Sequence, residues 1–196
     1  MELQRTDDWY QDRLGKVTAS NVYKVLSKGE TRKTYMYELL AERLNGKQDS
    51  FTNEHMLRGI ELEPEAKAAY SIETGVFIDD VGFVEHPSIP NFGASPDGLV
   101  GNDGLIETKC PKLTTHLKTI SDEKIKSEYL YQMQTQMACT GRKWCDFVSY
   151  YPALGENSLF IKRIEADQVM IAEIEQAVIK FLNELDELER RINERK

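Results

Sequence analysis

The sequence is poor in the residues that build disulfide frameworks and thiolate metal sites. Its 196 residues include three cysteines, Cys110, Cys139 and Cys145, which is an odd number without a CxxC pair. This pattern argues against a disulfide scaffold and against a zinc or iron–sulfur centre. The three histidines are widely scattered and have no ligand spacing. We therefore expect a protein of a reducing cytoplasm.

Long apolar runs are also missing. No stretch approaches the roughly eighteen apolar residues that a membrane-spanning helix needs, and the first eight residues are too acidic and polar for a signal peptide. Hydrophobic residues make up 40% of the chain and charged residues 30%, as in ordinary globular proteins. We predict a single domain over residues 1–196, with N-terminal helices at 1–75, a sheet and helix at 76–164 and a C-terminal helix at 165–196.

Positive charge is in deficit. Lysine and arginine number 25 against 33 acidic residues, which gives a net charge of −8. Proteins that grip nucleic acid usually carry a basic surface, so the composition argues against a general DNA-binding protein. It argues less against an enzyme that encloses its substrate. Four lysines form a candidate basic patch, for which ordinary solvated surface is an equally good interpretation; they are Lys112, Lys118, Lys124 and Lys126.

Hydrophobic periodicity predicts helices first, then strands, then helices. We expect helices at about 3–14, 33–44, 53–74, 124–140 and 167–194, and a short helix after residue 20, for which Ser20 is the candidate N-cap. We expect strands at 76–86, 92–100, 105–109, 144–151 and 158–164. The predicted fold class is α+β, with a central mixed β-sheet flanked by helices.

Three charged residues flank a strong hairpin turn at residues 101–104 (GNDG). Glu107 and Lys109 are two residues apart, so on a strand they point to the same face. Asp97 precedes Glu107 by ten residues across the turn and can lie beside it. Two carboxylates suit a Mg²⁺ ion, and a lysine beside them could orient water and offset charge. Phosphodiester hydrolysis needs these functions.

The same three residues have a purely structural interpretation. Asp, Glu and Lys are common surface residues, and an Asp-Gly pair after proline is often only a turn. The flanking Leu105 and Ile106 favour the functional interpretation, because they indicate a partly buried strand. Charged groups in such a strand need partners or a role, since unpaired burial is costly.

At these positions the chain resembles the phage lambda exonuclease type of viral recombination nuclease, within the PD-(D/E)xK nuclease superfamily. Ordered segments from Trp9 to about Ile164 carry the resemblance. They are Trp9 with residues 13–20 (RLGKVTAS), Arg58-Gly59 with Glu63, residues 94–99 (ASPDGL), residues 107–111 (ETKCP), and Tyr129 with residues 132–134 (QMQ) and Met137. Five ordered segments are far more specific than a lone ExK motif. The implied core is a restriction-endonuclease-like nuclease domain.

The resemblance implies a role for each matching residue. Asp97 and Glu107 would bind metal together with the backbone carbonyl of Thr108, and Lys109 would be the catalytic lysine. Glu63 would reach the same centre, as a ligand to a second ion or through water. The remaining matches would hold the 5′-terminal phosphate of the digested strand; they are Arg13, Ser20, Ser95 and Gln132.

The resemblance also implies an activity. Such enzymes digest one strand of linear double-stranded DNA from 5′ to 3′ and leave 3′ overhangs for phage-type recombination. They use Mg²⁺, with Mn²⁺ as an alternative, form a ring-shaped homotrimer around DNA ends, and partner a single-strand annealing protein. The setting would be the cytoplasm of a bacterial host, with the gene carried by a phage or prophage. Two alternatives stay open: a related metal-dependent endonuclease or repair nuclease, and a binding module with a decayed site.

The residues alone leave several of these roles open. The planar fork of Arg13 suits a terminal phosphate, and a helix start at Ser20 would favour an anion. Arg13 could equally be a surface ion pair with Asp8 or Asp12, and Ser20 could be only a cap. Gln132 could also be a solvated position on its helix rather than a phosphate contact. The sequence alone does not distinguish Glu63 from Glu61 or Glu65 as the residue that reaches the metal site. Trp9, Met133 and Met137 are expected to be packing residues.

Overall fold

The computed structural model describes residues 4–47 and 54–195, which form helices packed around two β-sheets. The α-helices are α1 (Asp7–Arg13), α2 (Val22–Leu26), α3 (Glu30–Asn45), α4 (Glu54–Thr74), α5 (Leu113–Asp122), α6 (Ser127–Thr140) and α7 (Gln168–Asn193). The strands are β1 (Val17–Thr18), β2 (Ile78–Asp79), β3 (Val84–Glu85), β4 (Phe92–Ala94), β5 (Gly98–Val100), β6 (Gly104–Lys109), β7 (Trp144–Tyr150) and β8 (Leu159–Glu165). Short 3-10 helices cover Ala19–Asn21 and Pro152–Asn157.

The strands form two mixed sheets. The smaller sheet has the order β1-β4-β3, and the larger has the order β2-β5-β6-β7-β8. Each contains one parallel pair, β1 with β4 and β6 with β7, and its other pairs are antiparallel. The predicted α+β class with mixed sheet flanked by helices is confirmed. The five-stranded sheet is the predicted central mixed sheet, and the additional three-stranded sheet was not predicted.

Two of the predicted strands are each split between the sheets. Residues 76–86 yield β2 in the larger sheet and β3 in the smaller one, and residues 92–100 yield β4 and β5 in the same divided way. Pro96 lies between β4 and β5, and its missing N–H cannot continue a ladder. The break therefore places Asp97 at the point where the chain passes from one sheet to the other.

The N-terminal helices differ from their predicted limits. Helix α1 begins at Asp7, where Thr6 accepts a hydrogen bond from the Trp9 amide at 3.2 Å, and residues 1–3 lie outside the described residues. Ser20 is not the N-cap of α2. That position is held by Asn21, and Ser20 belongs to the preceding 3-10 helix.

Helix α5 was not predicted, and α6 begins three residues later than expected. The α5 sequence contains three threonines, which have low helix propensity and weaken the signal from its apolar residues, although Leu113, Leu117 and Ile120 recur at helical spacing. Tertiary contacts add to the stability of this helix. The ring of the fully buried His116 contacts the Ser149 hydroxyl at 2.8 Å and the Asn157 carbonyl at 2.9 Å.

Two apolar clusters fix the sheets and helices relative to the site. The long helix α7 buries its predicted stripe against α2 and α3, with Val178, Phe181 and Leu185 fully buried, whereas Ile192 at the stripe's end is 37% exposed. On the larger sheet, Met133 and Met137 of α6 pack in a cluster of residues that includes Leu105 and Phe147. The prediction that these two methionines are core residues is confirmed. This packing holds α6 against β6, the strand that carries Glu107 and Lys109.

Among the described residues, no helix is long and apolar enough to cross a membrane.

Candidate active site

The hairpin of β5 and β6 brings the predicted acidic pair together. Residues 101–103 form the turn, and Gly101 adopts a positive φ of 52° there. Gly98 pairs with Ile106, so Asp97 comes next to Glu107 in the antiparallel register. One Asp97 carboxylate oxygen accepts hydrogen bonds from the Thr108 amide at 2.6 Å and the Thr108 hydroxyl at 2.7 Å. The carboxylate is thus fixed at the end of the hairpin.

Glu107 is almost completely buried, with 1% exposure, and its carboxylate has three donors. Oε1 accepts from the Lys109 ammonium and from the Gln132 amide, the latter at 2.8 Å. Oε2 accepts from the Gln136 amide at 2.6 Å. The Lys109 ammonium also donates to the Gln132 carbonyl oxygen at 3.2 Å. The predicted common face of Glu107 and Lys109 is therefore confirmed.

Burial and like charge shape the electrostatics of this centre. Burial, and then the negative charges of Glu107 and Glu63, raise the pKa of Asp97 to about 7. Burial alone would lower the pKa of Lys109, but the charges of Glu107 and Asp97 outweigh it and raise that pKa above its usual range. The Asp97 and Glu107 carboxylates thus carry more negative charge than the neighbouring Lys109 ammonium neutralises, and such an excess favours a divalent cation.

Glu63 is the member of its acidic cluster that acts on the centre. Its side chain is 13% exposed and forms ion pairs with Arg5 and, at 3.1 Å, with Lys67. Its charge contributes to the raised pKa of Asp97. Glu61 is exposed, and Glu65 accepts a hydrogen bond from the Tyr150 hydroxyl at 2.7 Å.

The donor set fits a cation that needs few protein ligands. Among the residues described, no three carboxylate, imidazole or thiol side chains are grouped closely enough to hold a metal ion between them. Mg²⁺ is usually held by one or two carboxylates, with water and substrate phosphate completing its shell. Asp97 and Glu107 are the pair that fits this requirement. The roles of Asp97, Glu107, Glu63 and the Thr108 carbonyl as metal ligands stay predictions.

A second polar pocket lies two residues before Asp97 along the chain. The Ser95 hydroxyl accepts hydrogen bonds from the Arg13 guanidinium and the Trp9 indole, each at 3.0 Å. The guanidinium carbon of Arg13 lies 4.2 Å from the Trp9 ring centroid, and burial lowers the pKa of Arg13 to about 10. Arg13 therefore points inward, whereas a surface ion pair with Asp8 or Asp12 would have turned it outward.

The other two predicted pocket residues are placed differently. Ser20 is exposed, and its hydroxyl lies 3.3 Å from that of Thr18. The 3-10 helix that carries Ser20 packs against β4, the strand leading into Ser95. Gln132 is buried and bonded to Glu107 and Lys109, so its contacts lie in the carboxylate centre. The interpretation of Gln132 as a solvated helix position is wrong.

The comparisons with known proteins bear directly on this arrangement. Residues 8–143 match the model of the YqaJ-like viral recombinase domain, which covers more than half of the chain and both groups of site residues. The chain belongs to the YqaJ-like viral recombinase family. A comparison with proteins of curated function gave no match.

Solved structures of similar proteins agree with membership of the YqaJ-like family. The chain is 53% identical to the alkaline exonuclease LHK-Exo from Laribacter hongkongensis, with 97% of each chain covered and a TM-score of 0.94. A structure of LHK-Exo in complex with dAMP matches equally well. A phage-related exonuclease from Haemophilus somnus 129PT is 19% identical over 90% of this chain and 96% of its own, with a TM-score of 0.75, and shares the fold.

Sequence reasoning missed two participants in this YqaJ-type site. Gln136 donates to Glu107, and Trp9 does more than pack, since its indole donates to Ser95. Gln136 had a detectable signal. It follows Gln132 by four residues on an apolar helix, and that spacing places both amides on one face.

Proposed function

We propose that this YqaJ-family protein is a Mg²⁺-dependent exonuclease that digests one strand of linear double-stranded DNA from 5′ to 3′ and leaves 3′ overhangs. The observation that carries the proposal is the convergence of Asp97, Glu107 and Lys109 in one centre, in which Glu107 is buried and the other two are half-buried. The similarity to LHK-Exo over nearly the whole chain supports the exonuclease class. The structure of that relative in complex with dAMP supports a nucleotide-binding site in this chain.

Each residue of the centre has a distinct task in this proposal. Asp97 and Glu107 would hold the ion, which when bound would supply Lewis-acid activation of the scissile phosphodiester. Lys109 lies against Glu107 and its raised pKa keeps it protonated. A protonated lysine serves to orient the attacking water and to offset charge in the transition state.

The proposed polarity rests on the pocket of Arg13 and Ser95. Among the described residues, the Arg13 guanidinium is paired with the Ser95 hydroxyl and the rings of Trp9 and Phe83, and it retains donors for an incoming phosphate. The pocket lies two residues from Asp97, so a strand whose 5′-phosphate occupies it would place its first phosphodiester near the carboxylates. We include Ser20 and Gln132 in the proposed DNA contacts, with Gln132 acting from the carboxylate side.

We extend the proposal to assembly and setting. A homotrimer around the DNA end, a single-strand annealing partner, and a phage or prophage origin in a bacterial cytoplasm are the expected context of a viral recombinase family. Enclosure of the substrate by several copies would suit a chain with a net charge of −8. The four exposed lysines at 112, 118, 124 and 126 are candidates for tracking the backbone. Mass measurement in solution tests the trimer, and a monomer at micromolar concentration would contradict it.

Digestion of end-labelled DNA tests the proposed activity. We expect linear duplex to lose a 5′ label as mononucleotide with Mg²⁺ or Mn²⁺, to keep its label in chelator, and a closed circle to stay intact. Cutting of the circle would favour an endonuclease of the same superfamily. Loss of the 3′ label first would reverse the polarity. Absence of cleavage on every substrate would leave a nucleic-acid-binding module.

Replacement of Arg13 tests the end pocket. We expect Arg13→Ala to bring the rates on 5′-phosphate and 5′-hydroxyl ends within about twofold of each other, because a charge-assisted contact worth about 1.5–3 kcal/mol is lost. The measurement is the initial rate on duplexes that differ only in that phosphate. Arg190→Ala is the matched control, since Arg190 pairs with Glu194 on the exposed end of α7. An unchanged preference in Arg13→Ala would remove the pocket from the proposal.

A further inference from the structure

Gln136 is a fully buried amide that contacts the carboxylate centre without a place in the proposed reaction. It lies on α6 one turn beyond Gln132, and its exposure is 0%. Its Nε2 donates to Glu107 Oε2 at 2.6 Å, while Gln132 and Lys109 donate to Oε1. The Glu107 carboxylate is therefore held at both oxygens by amides from one helix face.

The orientation of the Gln136 amide is dictated by its neighbour and has a cost. A carboxylate only accepts hydrogen bonds, so Nε2 must face Glu107. The amide oxygen then points away, and it is buried without a hydrogen-bond partner among the described residues. An unpaired buried acceptor destabilises a fold. The glutamine therefore gives up one buried acceptor, Oε1, in order to hold Glu107 Oε2 through Nε2.

The contact has a clear consequence for metal binding. Because Gln132 and Gln136 donate to different oxygens, the Glu107 carboxylate cannot rotate. The lone pairs that remain free for a metal ion therefore point in fixed directions. Mg²⁺ demands near-ideal octahedral geometry at short distances, whereas Ca²⁺ accepts variable geometry and bidentate carboxylates. Mutation of a residue that hydrogen-bonds to a metal ligand and fixes its orientation typically lowers the metal affinity 10- to 100-fold. A fixed carboxylate thus favours the smaller ion.

We propose that Gln136 is a positioning residue that locks the Glu107 carboxylate and thereby sets the preference of the site for Mg²⁺ over Ca²⁺. The inference rests on the proposed metal centre. It adds a residue that determines which cation the centre selects.

The experiment measures metal affinity directly, without DNA or turnover. The full chain, Gln136→Met and Gln134→Met are titrated with MgCl₂ and with CaCl₂, and Kd is obtained from heat and from the metal-dependent rise in Tm. Gln134 is the matched control. It lies on the same helix, is buried, and joins β8 to α7 through the Glu165 carbonyl at 2.9 Å and the Asp167 amide at 2.8 Å.

We expect Gln136→Met to weaken Mg²⁺ binding by about 10- to 100-fold and Ca²⁺ binding by less than about threefold. Gln134→Met should lower Tm in chelator and leave the ratio of the two affinities unchanged. Equal losses for both ions in Gln136→Met, or no loss, would overturn the inference. If Gln136→Met does not fold, Gln136→Asn takes its place, because asparagine keeps the amide but is too short to reach Glu107 Oε2. The ratio of Mg²⁺ affinity to Ca²⁺ affinity is then compared in the same way. A wild-type chain that binds neither ion would instead overturn the proposed metal centre itself.

Discussion

Lys109→Ala should reduce the rate of DNA hydrolysis by about 10³-fold or more while leaving the affinity for duplex ends within a few-fold of wild type. Lys109 supplies the one ammonium in contact with Glu107, and its raised pKa keeps it charged. Loss of a group that stabilises developing charge typically costs 10²- to 10³-fold. Loss of water orientation adds to this. Affinity depends on many phosphate contacts, so one lysine contributes little to it.

The variant should fold, because Glu107 keeps the amide donors Gln132 and Gln136 when the lysine is removed. Single-turnover rates on 5′-labelled duplex, with binding measured separately in Ca²⁺ or chelator, divide chemistry from association. Lys180→Ala is the control, since Lys180 is exposed on α7 and has no place in the proposed DNA contacts. Turnover within tenfold of wild type would exclude the assigned role of Lys109, and loss of binding would make it a DNA contact instead.

The core of this centre was predictable from local signals. The turn at 101–104 fixes the hairpin, and the alternation of a strand puts Glu107 and Lys109 on one face. These are short-range properties that the sequence encodes within a dozen residues. The predicted pairing of Asp97 with Glu107 follows from the same register and is found. The C-terminal helix carried an equally clear periodicity, whereas the apolar residues of the helix at 53–74 are only roughly helical in period.

Features that depend on distant strands were not predictable. The division of residues 76–86 and 92–100 between two sheets depends on which strands lie alongside, and nothing in the local alternation specifies that. Helix α5 depends on contacts of His116 with β7 and with the segment before β8. In each case tertiary contacts outweigh local propensity.

The glutamines of α6 show the same limit within the site. Gln132 and Gln136 share one face of the helix and Gln134 lies on another, and either position could be solvated; only the packed structure shows all three buried. Two of them then serve the carboxylate centre and one joins β8 to α7. A polar residue on an apolar helix is therefore ambiguous until its neighbours are known.

Asp97→Asn should abolish metal-dependent hydrolysis and, in chelator above pH 7, should make the chain more stable than wild type. The unfolded chain loses the Asp97 proton near pH 3.8, whereas the folded chain keeps it until about pH 7. Between these values the folded state binds more protons, so stability falls as pH rises. Above pH 7 the whole cost is present, and it amounts to roughly 4 kcal/mol at about 1.4 kcal/mol per pH unit. Asparagine does not titrate and avoids it.

Thermal melts across pH test this sign. In chelator we expect Asp97→Asn to exceed wild type in Tm by about 8–16 °C at pH 8.5 and to match it at pH 4, because the Thr108 donors retain an oxygen acceptor. With saturating Mg²⁺ the difference in Tm between the two proteins should shrink or change sign, because only the wild-type chain gains binding free energy. The exposed Asp122→Asn should change Tm by about 1–2 °C at most. A lower Tm for Asp97→Asn at pH 8.5 would show that favourable contacts stabilise the ionised Asp97 carboxylate more than burial and its acidic neighbours destabilise it. A carboxylate stabilised in that way would have little tendency to bind a cation.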